Sequence, residues 1–446
     1  MRRVIILILL LGLMQLIALA APFGGAGRTI LVFGFLILAA YSAGELAENV
    51  HLPKIVGYLV AGLVFGPHAA SVVRPGEALD LQPVGDLAIA LIAFIAGAEL
   101  DLAELRRRGV SLLKVTGTEL TVTFVAIFTA LVLMRPWIPF LAGYNWIVVC
   151  AFAGLFASVA IVHSPAVTIA LLTETKAQGP VARTTLGVVL VADVAVVLLF
   201  SVALSVARAL VPSGAEGVGS LGATAWEIGG AFPVGLLIGL AIVIYLRLTT
   251  SDLFLFAILA TFFGLEVARL MHTEPLLTLL VAGFVAKNFS RHGSGVLLRE
   301  AMERSAAPVF VIFFALAGAK IELPDLARLW PLVLPIALVR AGAIRFGTRL
   351  GARWAKLPAA EARPLWMGLI SQAGVAIGLV TVASASYPAA GGEMRTLLLT
   401  LIAMNETVGA ILFRRALQKA GEVGGEGLGG AEVAELQVAS RGSQAV

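Results

Sequence analysis

The chain has 446 residues, of which 59% are hydrophobic and only 13% are charged, and its mean hydropathy is +0.98. A soluble globular protein has about 45–50% apolar and about 25% charged residues, so this composition excludes the usual soluble enzymes. Its long apolar runs predict an all-α membrane protein with many spans. The net charge of +5 fits the basic cytoplasmic loops of such a protein and gives no indication of a nucleic-acid partner.

The N-terminal residues fit two different structures. Two arginines follow Met1, an apolar run extends to Ala20, and the sequence Ala-Leu-Ala at 18–20 fits the cleavage site of a signal peptide. The same run of about 17 residues also suffices for a short span. Residues 1–21 are therefore predicted to be either a signal peptide or an extra span, and cleavage would leave the mature N-terminus facing outward.

Thirteen apolar segments follow residue 28. A typical membrane crossing takes about 20 residues, and most of the segments are near that length. Two of them, 275–289 and 306–321, are short and are expected to pack obliquely. The segments are 29–47, 55–73, 84–102, 111–133, 145–171, 184–208, 228–246, 252–270, 275–289, 306–321, 329–348, 366–387 and 394–413.

The distribution of Lys and Arg predicts the orientation. The loops on one side of the predicted membrane hold twenty of these residues and the loops on the other side hold eight. The positive-inside rule makes the first side cytoplasmic, which places the C-terminus inside a protein of the cell (inner) membrane. Residues 419–446 are rich in Gly, Ala and Glu and are predicted to form a disordered cytoplasmic tail.

An internal repeat links the two halves of the chain. Leu-Val-Ala-Gly at 59–62 recurs at 280–283, and the sequence at 96–102 recurs in similar form, at the same spacing, at 317–323. The paired segments cross in opposite directions. The pattern predicts an inverted repeat, which is typical of secondary transporters with a binding site near the membrane midplane.

The same repeat spacing also relates Glu119 to Arg340, each in the middle of an apolar segment. Equivalent positions near the pseudo-two-fold axis of an inverted repeat can approach each other. The sequence therefore predicts an intramembrane ion pair between Glu119 and Arg340, which would be costly to break.

The segment 184–208 is long enough to span a bilayer and has one carboxylate, Asp193, near its middle. A charge at that depth costs roughly 3 kcal/mol on insertion scales, so a functional role is the default hypothesis. We expect Asp193 to hold a proton and the transported monovalent metal cation in alternation.

Two segments contain helix-breaking residues at mid-depth. His163, Ser164 and Pro165 lie in one, and Ser371-Gln372-Ala373-Gly374 lies in the other. Interrupted helices at matching places in two halves indicate a transporter site, because their free backbone groups can face an ion. Ser164, Ser371 and Gln372 are candidate oxygen ligands. The alternatives are a proline kink, close packing at small residues, or polar side chains that only satisfy the backbone.

Two further polar groups at mid-depth have open roles. Glu406 either is a helix-packing acid bonded to Asn405 or to the backbone, or handles protons directly. His163 either satisfies the backbone at the break or senses pH, since histidine titrates near neutrality.

Four stretches resemble signatures of monovalent cation:proton antiporter family 2, which includes the Kef-type and NapA-type sodium/hydrogen exchangers. They are 29–67 (with Ala-Gly-Glu at 43–45 and Gly-Pro at 66–67), 94–109 (with Phe-Ile-Ala-Gly-Ala-Glu-Leu-Asp and Arg-Arg-Arg-Gly), 313–323 and 405–417 (with Asn-Glu-Thr-Val-Gly). The resemblance covers about residues 29–418. It implies an exchanger transmembrane domain at 22–418, a homodimer, and a scaffold domain with a moving core domain.

The resemblance also implies that the two broken helices cross near Asp193, with Arg340 as the basic residue opposite. The sequence departs from the family pattern at Ala192, where relatives often have Asp, Asn or Gln, and at His163, where a small hydroxyl residue is expected. It also lacks the cytosolic nucleotide-binding domain of Kef-type proteins. These departures leave the choice between Na⁺ and K⁺ open.

The predicted function is secondary antiport of Na⁺ or K⁺ against protons by alternating access. One exchangeable carboxylate predicts one cation per proton. The alternative is a glutathione-gated, Kef-like potassium efflux channel or transporter without its regulatory domain, but a channel needs a lined pore and usually a selectivity loop, and no such loop is evident. The sequence has no HExxH, GxSxG or paired-Asp motif and only one cysteine, Cys150. We therefore expect neither an enzyme nor a bound cofactor.

Overall fold

This computed structural model describes most of the chain: residues 26–50, 52–99, 102–138, 140–211, 229–248, 253–290, 308–321 and 323–424, with residues 12 and 226. Within these ranges the chain forms α-helices, one short 3-10 helix and turns, without any strand. The all-α prediction is confirmed. Apart from residue 12, the predicted signal peptide or extra span lies outside the described residues.

The α-helices are numbered here in chain order. They are α1 Ala26–Asn49, α2 Lys54–Phe65, α3 Pro75–Asp80, α4 Gln82–Glu99, α5 Leu102–Leu133, α6 Trp146–Ala160, α7 Pro165–Thr175, α8 Pro180–Leu210, α9 Ala231–Leu248, α10 Leu253–Leu270, α11 Pro275–Phe289, α12 Pro308–Ala319, α13 Leu323–Trp354, α14 Ala359–Gly368, α15 Gly374–Ser386 and α16 Pro388–Ala420.

Every predicted apolar segment overlaps one or two of these helices. In the described part of the chain, seven helices, counting α6 and α7 as one, are long and apolar enough to cross a membrane. The chain is therefore a multi-pass membrane protein; the count of thirteen spans stays a prediction. Helix α2 ends at Phe65, well before the predicted position 73. Its end is set by Gly66, which takes an extended conformation (φ −70°, ψ 177°), as expected for a residue before proline.

Two of the apolar segments are each divided into two helices. Residues 161–164 separate α6 from α7, and residues 369–373 separate α14 from α15. Helix α7 starts at Pro165, which needs no hydrogen-bond acceptor in the first turn, and the Ser164 hydroxyl accepts a hydrogen bond from the Val167 amide at 3.2 Å. Before α15 the backbone is extended at Ala373 (φ −162°, ψ −148°).

Arg340 on α13 connects the two interruptions. Its Nε donates to the Ala160 carbonyl at 2.6 Å, its Nη2 to Val162 at 2.8 Å and its Nη1 to Ile370 at 2.6 Å. The arginine is completely buried. The carbonyls at a helix end have no partner within the helix, and buried carbonyls need one. One guanidinium therefore satisfies carbonyls at both breaks.

Four glycines lie where helices meet so closely that a Cβ would overlap a carbonyl of the facing helix. They pack α2 against α12 and α4 against α11, through Gly62 with Ala315, Gly318 with Leu59, Gly97 with Leu280, and Gly283 with Phe94. The repeat relates these contacts in pairs. Gly62 and Ala315 are equivalent to Gly283 and Phe94, and Gly318 and Leu59 are equivalent to Gly97 and Leu280. The packing of these four helices is thus reciprocal.

The end of the last helix corrects the predicted tail boundary. Helix α16 continues to Ala420 and ends at Gly421 in the left-handed conformation (φ 70°). The Glu422 carboxylate then accepts hydrogen bonds from the Val181 and Ala182 amides, both at 2.8 Å. Free amides at a helix N-terminus favour a carboxylate, and this contact holds Glu422 at the start of α8. The Gly424 amide donates to the Thr175 carbonyl of α7 at 3.1 Å, so residues 421–424 pack against α7 and α8. The rest of the tail lies outside the described residues.

Gly97→Ala is expected to lower the free energy of unfolding by about 1–3 kcal/mol, because the added methyl group must displace the backbone of α11. Gly117→Ala on α5 is the matched control, since a Cβ there has no neighbour within 4 Å. Thermal denaturation of the two purified variants in detergent measures the difference, and equal midpoints would contradict the close α4–α11 contact.

Arg340→Lys keeps the positive charge, but a single ammonium group cannot reach all three carbonyls. We expect a loss of about 1–3 kcal/mol for each buried carbonyl left without a donor. Arg345→Lys is the control, because Arg345 is on the same helix and exposed. A thermal midpoint for Arg340→Lys that matches the control would show that the guanidinium does not hold the breaks.

Candidate functional site

Asp193 lies on the wall of a cavity of about 60 Å³, next to the first residues of α7 and α15, the helices that follow the two interruptions. Helices α7, α8 and α15 form one part of the wall, and α4, α11 and α12 form the rest. Among the described lining side chains three are polar and the others are apolar. The lining residues are Ile92, Ala93, Ser164, Pro165, Ala166, Leu190, Asp193, Val194, Glu274, Leu276, Leu277, Leu280, Phe313 and Val375.

The Asp193 carboxylate is the least satisfied polar group of this cavity. Its Oδ1 atom is buried and has no hydrogen-bond partner among the described residues. A buried polar atom without a partner is uncommon and calls for an explanation, such as a functional role or a bound ion. The cavity has room for a few water molecules. The site can therefore accept a proton or a small cation at the carboxylate.

Ser164 and Pro165 bring the N-terminus of α7 to the same cavity. Ser164 is buried, and its carbonyl accepts a hydrogen bond from the Thr168 hydroxyl at 2.9 Å. Val375, in the first turn of α15, lines the cavity too. The structure thus brings Asp193, Ser164 and Pro165 together, next to the turn that begins at Gly374.

Gln372 uses both groups of its side-chain amide to join other helices. Its Nε2 donates to the Ala160 carbonyl at 2.9 Å, and its Oε1 accepts from Asn405 Nδ2 at 2.8 Å. Gln372 is not among the described residues that line the Asp193 cavity. In this conformation Gln372 and Asn405 fasten the second interruption to the first, and a role of Gln372 as an ion ligand stays a prediction.

Ser371 is close to the same junction. Its hydroxyl is buried and has no hydrogen-bond partner in the described part of the chain, and its backbone packs directly against Gly409 of α16. The close approach of this helix requires glycine at position 409. Ser371 does not line the Asp193 cavity either.

The predicted ion pair between Glu119 and Arg340 is not formed. Glu119 Oε2 instead lies 3.0 Å from His163 Nε2, and Glu119 Oε1 accepts from the Thr123 hydroxyl at 2.8 Å. The backbone of Glu119 packs against Gly347, seven residues beyond Arg340 and thus roughly 10 Å along α13. Glu119 is therefore bonded directly to His163, and its charge acts on Arg340 through space without forming a salt bridge with it.

Glu406 belongs to a different cavity. It is 3% exposed, its Oε1 has no hydrogen-bond partner within the described ranges, and it lines a cavity of about 300 Å³ together with Lys320 and Arg395. Helix α15 separates this cavity from that of Asp193, since Val375 lines one and Ile377 the other. The Asn405 amide donates to Gln372 and not to Glu406.

Glu274 is a residue of the Asp193 cavity that sequence analysis did not identify. It precedes α11 and lines the Asp193 cavity, and its Oε2 accepts a hydrogen bond from the Leu277 amide at 2.5 Å. An acidic residue followed by Pro275 at the start of an apolar segment is a signal for a helix start. That signal could have located Glu274 at the helix end, but not in the cavity.

Residues 5–419 match the family model for the sodium/hydrogen exchanger, transmembrane. The chain is 25% identical over 405 residues to the Na⁺/H⁺ antiporter NhaS5 of Synechocystis, covering 83% of this chain and 52% of NhaS5. It is 30% identical over 182 residues to the iron transporter MagA of Paramagnetospirillum magneticum, covering 40% of this chain and 38% of MagA. The matches thus span about half, or less, of the length of these two relatives.

Among solved structures, the chain is similar to the sodium proton antiporter MjNhaP1 from Methanocaldococcus jannaschii. The TM-score is 0.73 at 16% identity, and the match covers 91% of this chain and 99% of that chain. At this identity the likeness shows a shared fold. The family model covers nearly all of the sequence, and the chain therefore belongs to the sodium/hydrogen exchanger transmembrane family.

Proposed function

We propose that the chain is a secondary antiporter that exchanges a monovalent cation, Na⁺ or K⁺, for protons, and that Asp193 carries both. The observation that carries this proposal is the Asp193 carboxylate itself. It lines a small cavity at the starts of α7 and α15, and its Oδ1 has no hydrogen-bond partner among the described residues. Family membership and the named activity of NhaS5 also favour antiport over a Kef-like efflux channel.

The chemistry follows from having one carboxylate for two ligands. A proton and a cation each neutralise Asp193, and they cannot be bound to the same oxygen atoms at once. The carboxylate therefore takes one ion across the membrane and the other back, at one cation per proton. Arg340 donates its hydrogen bonds to three carbonyls. Arginine does not lose its proton in a protein, so the charge of Arg340 does not change during the cycle.

Alternating access requires the cavity to open to each side of the membrane in turn. Its wall is shared between α7, α8 and α15 on one hand and α4, α11 and α12 on the other, so relative movement of these groups would open it. The reciprocal glycine contacts, which are related by the repeat spacing, support an inverted repeat, which is the usual basis of such movement.

The membrane orientation is proposed from charge alone. The loop distribution of twenty against eight basic residues supports a cytoplasmic C-terminus in the cell (inner) membrane. The homodimer implied by the family resemblance stays a prediction.

Asp193→Asn is expected to abolish exchange, because an amide can neither take up a proton nor neutralise a cation. The protein is reconstituted in liposomes with a trapped pH-sensitive dye, and Na⁺ or K⁺ is added outside. We expect a cation-driven pH change with the wild type and the signal of empty liposomes with the variant. A potential-dependent transport current in the wild type would contradict one-for-one exchange.

Asp86→Asn is the matched control for this experiment. Asp86 has an exposed partner, Arg269, at 2.7 Å and does not line the Asp193 cavity, so its loss should leave the exchange rate unchanged. Wild-type exchange by Asp193→Asn would refute Asp193 as the carrier.

A further inference from the structure

A second carboxylate, that of Glu274, lines the cavity of Asp193. The two side chains come from different helices, since Asp193 lies in the middle of α8 and Glu274 immediately precedes α11. Apart from Ser164, the other described lining residues are apolar. In such surroundings charges interact more strongly than in water, so the charge on Glu274 contributes directly to the potential at Asp193.

The position of Glu274 at the start of a helix does not by itself account for a glutamate. It caps α11 by accepting the Leu277 amide at 2.5 Å. Residues that cap helices in this way are preferentially Ser, Thr, Asp or Asn, whose side chains are shorter or uncharged. Glutamate performs the capping and also places a negative charge on the cavity wall, and the capping alone requires no such charge.

The unpartnered oxygen of Asp193 is the independent sign that the cavity takes a ligand. Its Oδ1 is buried without a hydrogen-bond partner in the described part of the chain, although a second acid shares the wall. Two ionised carboxylates around an apolar space of about 60 Å³ repel each other until one takes up a proton or a cation lies between them. A monovalent cation that has lost part of its water shell has the charge and the size for this position.

We propose that Glu274 is an affinity-determining residue of the cation site, where its negative charge raises the affinity of the cavity for the monovalent cation. This inference rests on the proposed function, in which Asp193 is the group that exchanges proton for cation. Glu274 stays bonded to the Leu277 amide at the positive end of α11, so it attracts the cation without being carried through the exchange. The stoichiometry remains one for one.

The test compares the half-saturating cation concentration of exchange in proteoliposomes at one fixed alkaline pH. Glu274→Gln keeps an oxygen that can accept from the Leu277 amide and removes only the charge. We expect a rise of at least about tenfold in the half-saturating Na⁺ or K⁺ concentration, because at an effective dielectric constant near 20 a lost unit charge has this effect even from about 12 Å away. The maximal rate should stay within about twofold, because an interaction that binds the cation uniformly affects affinity and not turnover.

Two further variants separate charge from structure. Glu274→Asp retains both the carboxylate and the helix cap, and its half-saturating concentration should stay within about threefold of the wild type, since the charge is retained. Glu266→Gln removes an exposed carboxylate that is bonded to Arg269 at 2.9 Å and lies outside the cavity, so it should leave the affinity unchanged.

The outcomes for Glu274 and Asp193 are distinguishable. If Asp193→Asn is inactive and Glu274→Gln has the wild-type half-saturating concentration, the role of Glu274 is refuted and the proposed function stands. An effect of Glu274→Gln on the maximal rate and thermal stability alone would show a purely structural residue and would also refute the inference. If Asp193→Asn exchanges normally, the proposed function itself fails.

Discussion

The structure depends on one buried arginine that satisfies the backbone of two interrupted helices. Within a membrane no water is available to carbonyls released at a helix end, and each unsatisfied group costs several kcal/mol. Arg340 donates to Ala160 and Val162 at one interruption and to Ile370 at the other. The hydrogen bond from Gln372 to Ala160 adds a second connection. Irregular backbone can therefore persist at mid-depth, beside the cavity of Asp193.

The electrostatics of that cavity follow from where helices start. The first residues of α7 and α15 and the cap of α11 all lie on its wall, and each helix start carries a partial positive charge. These helix ends partly offset the cost of burying the carboxylates of Asp193 and Glu274 without using a basic side chain. The positive charge of Arg340 is directed to carbonyls, and Arg340 is not among the described residues that line the cavity.

The sequence predicted the position of Asp193 and of the two helix interruptions better than it predicted which side chains contact each other. Asp193 could be predicted because a charge is costly within an apolar span. The first interruption could be predicted from Pro165, and the second from the polar residues and Gly374 at 371–374, since glycine is unfavourable within a helix. The pairing of Glu119 with Arg340 was wrong, because the repeat spacing relates equivalent positions but does not fix the register of α5 on α13. The interaction of Glu119 with His163 depends on that register. Glu274 was missed because a charge at the end of a span looks ordinary.

The repeat is most informative about helix packing at its glycines, where the absence of a side chain lets two helices approach closely. Gly62 and Gly283 are equivalent positions of the repeat. Gly62 packs against Ala315 and Gly283 packs against Phe94, and these two partners are also equivalent positions of the repeat. A chance similarity of short apolar sequences would not produce matching contacts in space. Such contacts leave α2 with α12, and α4 with α11, little freedom to separate, since the backbones touch directly. In the proposed alternating access, the movement that opens the Asp193 cavity is therefore more easily accommodated along its border with α7, α8 and α15 than within these close glycine pairs.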